Sequence, residues 1–287
     1  MKRITILFCG VLFLTSCVIK LSAQDIRTEV YTREHIPNKK PIPFPYIREA
    51  DVMWAKDIYR IIDLRQRQNL MLYYPLKPIA DRMSLVDVLL YAVDHEGVRA
   101  FSTDDPKNEF TIPLTKDKLD QVFGAGFDTV KVPDINTGQL VTKVVERPRR
   151  TEQVKQILIK EKWFFDKNHS VLRVQIIGIC PIRVYDMLDD QGNPTGVVRR
   201  QQTFWIYYPE VRPILASHEV FNPNNDAQRI SFDDYFMQRR FSSYIVAESN
   251  VYENRWINSY AMGMDAMLES ERIKESIFNF EHDLWEY

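Results

Sequence analysis

The sequence predicts an α+β protein: N-terminal helices, a central antiparallel β-meander and C-terminal helices, preceded by an extended Pro-rich arm. Three observations carry this. Apolar residues recur at helical spacing between Asp51 and Phe123 and again after Ser231. Between Phe127 and Tyr208 the period moves towards two. Before both lies Pro37 and the alternating Pro41-Ile42-Pro43-Phe44-Pro45, a spacing that forbids helix and favours polyproline II or extended chain.

Taken in order, residues 1–23 read as an export signal. Lys2 and Arg3 form a charged start, and Ile4 to Thr15 is an apolar run too short to span a bilayer. Leu14-Thr15-Ser16-Cys17 has the form of a lipobox, which would leave Cys17 as a lipidated first residue; Leu21-Ser22-Ala23 offers ordinary cleavage before Gln24. No later stretch is apolar enough for a transmembrane span, so the expected mature chain is exported, and soluble or at most tethered. Residues 24–47 are expected to form an arm, either a free linker or one that docks through Ile42, Phe44 and Tyr46, and residues 48–287 a single α+β domain.

The stretch Asp51 to Pro75 predicts the first helix. Trp54, Ile58, Ile61 and Ile62 make an apolar stripe; Lys56, Arg60, Asp63 and Arg67 make a charged one, which reads either as the solvated face of a core helix or as a surface that meets a partner protein. Asp51 is the expected N-cap, and Pro75 with Pro78 ends the run. Ser84-Leu-Val-Asp87 has capping-box spacing and opens a second helix with Leu85, Val88, Leu89 and Ala92 on its apolar face and Gly97 beyond its end. A third, shorter helix follows Thr115 and stops at Gly124.

In the middle, Thr129–Val132 and Leu140–Val145 are expected strands of a hairpin across residues 134–138. Lys155 to Phe165 fits helix and strand equally. Val171–Ile179 and Arg183–Met187 are expected strands, followed by a turn at residues 189–193. Val197 to Tyr208 then places Arg199, Gln201, Thr203, Trp205 and Tyr207 on one face. Ser231-Phe-Asp-Asp234 is a second capping box, expected to open a helix running to about Ala247. The last helix carries Ile273, Ile277, Phe280 and Leu284 as its apolar stripe.

Composition removes several function classes. A net charge of -1 gives no global argument for nucleic acid or an anionic membrane. Nine Gly beside 14 Tyr and 16 Phe suit β-rich packing and large contact surfaces more than a glycine-looped nucleotide site. There is no Walker A motif and no Gly-x-Ser-x-Gly elbow; Gly124-Ala-Gly126 is only a fragment of a dinucleotide fingerprint. The His residues are scattered without metal spacing, and Asp186, Asp189 and Asp190 lack the alternation of an EF-hand. No cofactor or metal is expected. Asp189-Asp190 and Asp233-Asp234 are adjacent pairs whose side chains diverge, so they read as a turn and as helix capping rather than as an acid pair. Cys180, alone in the folded body, reads as a buried strand residue. Arg147-Pro-Arg-Arg150 is a basic patch suited to acidic protein surface. What remains is contact material, with aromatics beside arginines at Trp54/Arg60, in 199–208, in 235–244 (including Arg239 and Arg240) and in 252–260.

Trp54, Lys56, Arg60, Ile62, Asp63, Arg65, Asn69, Tyr73, Tyr74 and Pro75 together resemble the signature of the GldN family of gliding-motility proteins, also called PorN. Trp205-Ile-Tyr-Tyr-Pro-Glu210, Ser231 to Phe236, Arg239 to Val246 and Glu248 to Val251 extend the resemblance along the chain. It implies a non-enzymatic periplasmic part of the type IX secretion system of Bacteroidetes, self-associating in a ring at the inner face of the outer membrane. The implied partners are a GldK/PorK-like lipoprotein and a GldM/PorM-like periplasmic domain, the latter rising from a motor formed with GldL/PorL. Because the lipidated partner is a different protein, the resemblance favours removal of Cys17 over its lipidation. A ring needs two different self-facing surfaces, and the arm, reaching a neighbour through Phe44 and Tyr46, is the expected source of one. The competing class is a periplasmic hydrolase or carbohydrate-binding protein, suggested by the aromatic content alone.

Overall fold

Residues 52–63 form a strand, β1 (Val52–Asp63), where their spacing predicts a helix. Both of its faces are buried: Ile58 and Ile62 pack on one side, Tyr59 and Ile61 on the other. A strand buried on both faces loses the alternation that marks a strand, and its continuous apolar run imitates a buried helix. The β-branched and aromatic residues of Ile58-Tyr59-Arg60-Ile61-Ile62 favour the strand locally. Asp51 therefore caps no α-helix; it closes a short 3-10 turn, Glu49–Asp51, before the strand.

The structure, a computed structural model, describes residues 36–79, 82–105, 108–133, 140–188, 194–225, 227–252 and 254–284. After β1 come α1 (Leu70–Tyr73), α2 (Leu85–Asp94), β2 (Ala100–Phe101) and α3 (Lys116–Val122). A hairpin follows, β3 (Gly126–Pro133) with β4 (Leu140–Arg147), then β5 (Val154–Asp166), β6 (Val171–Leu188), β7 (Pro194–Gln202) and β8 (Trp205–Tyr207). The chain continues through α4 (Tyr208–Ser217), β9 (Glu219–Val220), β10 (Ile230–Ser231), α5 (Phe232–Met237), β11 (Tyr244–Glu248) and α6 (Met264–Asp283). The fold is α+β, as predicted, but its N-terminal element is a strand of the main sheet.

That sheet is antiparallel, in the order β11-β1-β5-β6-β8-β2, with β7 also paired to β6. On one face, α2, α4 and α5 bury Ile62, Ile157, Ile159, Ile179 and Ile206 in the largest cluster. Further along that face, Ile273 and Ile277 of α6 cover Ile58 and Ile245. The opposite face buries Tyr59, Ile61, Leu158, Ile182 and Trp205 with Cys180 among them. Cys180 is the buried strand residue its context predicts, and burial pushes its thiol pKa up.

The second and third helices form where predicted. Ser84 accepts from the Asp87 N–H at 3.2 Å, and Gly124 follows α3 at φ 70°, a left-handed position open to glycine. The ambiguous 155–165 stretch is strand, paired on both sides. The two strands predicted for 171–187 are one, running through Pro181, whose carbonyl accepts from Thr203 N and Oγ1 at 3.0 and 2.8 Å. The same contact breaks the strand predicted for 197–208. Gln201 stands opposite Arg183 in β7, while Trp205 joins the cluster of Ile182 on the other face. Arg199 and Gln201 thus do not share a face with Trp205 and Tyr207. The loops at 134–139 and 189–193, with Asp189 and Asp190, lie outside the described residues.

The helix opened by Ser231 ends at Met237, not near Ala247. Gln238 and the left-handed Arg239 (φ 51°) close it, with Arg239 N–H on Phe236 O and Arg240 N–H on Tyr235 O. Phe241 then packs into the core and β11 joins β1 at the sheet's edge. α4 has no counterpart in the sequence prediction; Pro209 sits at its start, where a missing N–H costs nothing.

Candidate functional site

From Ile36 onward the proline-rich arm docks on its own chain. Ile36 is buried, Lys39 Nζ pairs with the Asp234 carboxylate, and Phe44 lies 4.0 Å from the Arg212 guanidinium across its ring face. Phe44 is thereby corrected from an outward contact to a lid over a buried polar group, while Tyr46 beside it is 90% exposed. Burial would raise the Asp234 carboxyl, but hydrogen bonds from Lys39 and Ser231 outweigh it and hold the pKa below the ordinary value.

Under Phe44, Arg212 Nε and Nη2 donate to both oxygens of Asp233 at 2.9 and 3.0 Å, and Tyr208 Oη donates to the same carboxylate at 2.9 Å. Of the pair read as capping, only Asp234 takes part: Ser231 is the cap, its Oγ accepting from the Asp234 N–H at 3.2 Å and donating to the Asp234 carboxylate at 2.9 Å. Asp233, one residue earlier, turns inward to Arg212.

The charged stripe of the predicted helix is dispersed by the strand. Trp54, Lys56 and Arg60 stay on one face; Asp63 goes to the other, and Arg67 leaves the strand for an exposed 3-10 turn. Trp54 stacks on Phe280 at 4.6 Å and Lys56 Nζ pairs with Glu248 at 2.7 Å. Arg60 is buried rather than partner-facing. It forms an ion pair of 3.2 Å with Glu161, itself fully buried, which also receives Arg239 Nη1 at 2.8 Å and Trp163 Nε1 at 2.9 Å. Burial lowers the Arg60 pKa, and Glu161 works against that shift. Asp63 accepts from Arg65 Nε at 2.9 Å, a bond that holds its carboxyl below the usual range. Arg240 is exposed and donates to Gln238 at 2.7 Å.

The Arg147–Arg150 patch is partly internal as well. Arg149 bridges Asp94 of α2 and Asp120 of α3, so the acidic surface it meets belongs to its own chain. A further buried set was not legible beforehand: Tyr59 Oη donates to Glu109 at 2.5 Å, and Lys160 Nζ reaches the other Glu109 oxygen at 2.8 Å. Glu109, Arg212 and Asp233 carry no local signal, because their partners lie 50, 21 and 21 residues away in sequence at the nearest, and the nearest cation to Glu161, Arg239, is 78 away.

Each of these carboxylates is held by cations or donors, and among the described residues no group of three His, Cys, Asp or Glu could hold a metal ion. No helix of the described residues is long and apolar enough to cross a membrane. Cys17 lies outside the described residues.

The outer surface is different in character. Phe127, Val144 and Val145 are exposed on the β3–β4 hairpin, which among the described residues pairs with no other strand. Met262, Met264, Met267 and Leu268 are exposed at the start of α6. Exposed apolar patches of this kind mark protein contacts. Two grooves border α6. One of about 640 Å³ has Arg60, Trp163 and Arg239 along one side and Glu271, Lys274 and Phe278 along the other. The second, about 820 Å³, runs beside β11.

A family model described as "Gliding motility associated protein GldN" matches residues 47–286. No curated protein matches the chain. With almost the whole body of the chain under that match, this protein belongs to the GldN family of gliding motility associated proteins.

Proposed function

We propose that this chain is a non-enzymatic structural component of the type IX secretion and gliding machinery, exported to the periplasm and held at the inner face of the outer membrane. It assembles in a ring with a GldK/PorK-like lipoprotein and meets a GldM/PorM-like periplasmic domain. Its mature form is an arm followed by one α+β domain from residue 48, with Cys17 removed rather than lipidated. The observation that carries this reading is the family match across residues 47–286.

Two features support it. The carboxylates of the buried clusters, Glu109, Glu161 and Asp233, are each held by a cation of the same chain, so these clusters brace the body. The exposed apolar residues of the β3–β4 hairpin and of α6 lie on separate elements, and a ring of heterologous contacts needs two different self-facing surfaces. Since Phe44 is engaged in cis, the arm's contribution to assembly rests on Ile42 and Tyr46, 80% and 90% exposed. Exposed Arg67 and Arg240 supply rim charges for a partner.

The test is co-purification from native envelopes with a C-terminal tag, read by mass spectrometry. Near-stoichiometric recovery of GldK/PorK-like and GldM/PorM-like proteins is expected. A lone monomer, stable to mild cross-linking, would overturn the scaffold reading.

A further inference from the structure

The groove beside β11 is built to receive something. Its walls are mostly apolar, from Ile61 and Ile182 of the sheet to Trp256 and Ile257 on the segment leading into α6 and Met267 in its first turn. Its volume of about 820 Å³ is in the range of ligand sites. At its floor Gln156 is 2% exposed; its amide nitrogen donates to Asp63 at 3.3 Å, but Oε1 has no partner. A buried acceptor left without a donor is destabilising, and a donor from an occupant would offset that.

Charge narrows the occupant. Arg200 lines the groove, is exposed, and forms no ion pair among the described residues. Asp63, which like Arg200 acts on Tyr244, is already held by Arg65. At the far side Glu271 is paired with Lys274. The groove therefore presents, beside mostly apolar walls, a cation with no ion pair among the described residues, which suits a carboxylate on an apolar body.

Size narrows it further. The apolar surface does not stop at the groove: Met262, Met264 and Leu268 continue it outside, at 82%, 70% and 62% exposure. Flexible methionines beside a groove are typical of surfaces that accept protein segments. A small molecule would leave them uncovered. The occupant does not extend the sheet at Ile245, because that N–H is already given to Ser270 Oγ at 3.0 Å. It docks through side chains.

We propose that this groove, with the methionines at its mouth, binds an apolar segment of a partner protein, and that a carboxylate of that segment pairs with Arg200. The proposal concerns this surface alone and does not depend on which machine component supplies the segment.

The test places a photo-cross-linking p-benzoylphenylalanine at Met267 in the full chain, expressed in its native host, with the same group at exposed Lys118 as control. Cross-linked peptides are then mapped by mass spectrometry. The expected adduct at Met267 is to a different protein, within an apolar stretch holding Asp or Glu, and Arg200→Glu reduces it at least tenfold. Changing the mapped acid to Lys restores the adduct in the Arg200→Glu background. Far-ultraviolet circular dichroism and the unaltered Lys118 background check that the variant is folded; Arg200→Gln, a milder change, is expected to give partial loss. An adduct to a second copy of this chain, to a segment without an acid, or one indifferent to Arg200 would overturn the proposal, as would no adduct at all. Co-purification of the machine components could succeed in each of those cases, so the two readings fail separately.

Discussion

Arg212 and Asp233 meet through two parallel hydrogen bonds at 2.9 and 3.0 Å in a site nearly closed to water, and the Phe44 ring of the arm closes its outer side. Neither charge could stay there alone. Removing one partner of such a pair typically costs about 3–5 kcal/mol, because the other is left buried and uncompensated. Arg212→Ala is expected to lower stability by that order in urea unfolding. The double variant Arg212→Met with Asp233→Leu should lose much less, since no charge then remains buried.

The arm's attachment is expected to weaken in acid. The Asp234 pKa is depressed in the folded chain, so its contribution is present above the unfolded value of about 3.9 and is lost as pH falls through the folded one. Limited proteolysis between Lys39 and Arg48 should therefore accelerate below about pH 4. Lys39→Ala should produce the same acceleration at neutral pH, and unchanged cleavage would argue against the pairing.

Alkaline behaviour has the opposite sign. Burial first, then the Glu109 bond, raises the Tyr59 pKa; burial and Asp233 raise that of Tyr208; burial pushes Tyr235 up to about 12. A raised folded value means the contribution is complete below the unfolded pKa, about 10, and falls away above it. Stability in urea should decline steadily above about pH 10. Tyrosinate absorbance at these three positions should appear together with unfolding rather than before it.

Glu161 serves two arginines, so its loss should exceed the loss of either. Glu161→Ala leaves Arg60 buried and unpaired and is expected to cost about 3–5 kcal/mol. Arg239 is partly exposed, and its replacement by glycine also relieves a left-handed backbone at φ 51°. Arg239→Gly is therefore expected to cost about 1 kcal/mol or less. Chemical denaturation of the two variants side by side checks the ranking.

Gly178 is required by a ring. A Cβ there would stand 2.4 Å from Phe110 Cζ, and Phe110 is held edge-on by Phe101, Trp205 and Tyr207. Gly178→Ala is expected to destabilise by about 1–3 kcal/mol through overpacking. Adding Phe110→Leu should recover part of that loss, and strict additivity of the two changes would refute the contact.

Elements whose stabilising contacts are local were legible in the sequence. Ser84 with Asp87 and Ser231 with Asp234 start helices three residues from their own partners, and Ile273 with Ile277 repeats at the spacing one helix imposes. Pro41, Pro43 and Pro45 exclude helix by themselves, whatever they pack on. The α+β class follows from such signals, and the family from residue strings that no folding rule dictates.

The tertiary structure alone decided the rest. β1 is a strand because β5 and β11 flank it and both its faces are covered, which removes the alternation a sequence reader depends on. Asp233 and Asp234 are neighbours of one type, yet Arg212 draws one inward and Lys39 holds the other at the surface. Arg60 looked like a surface charge until Glu161 was set beside it from another strand. In each case the deciding free energy comes from desolvation and from partners far along the chain, and neither is written into local spacing.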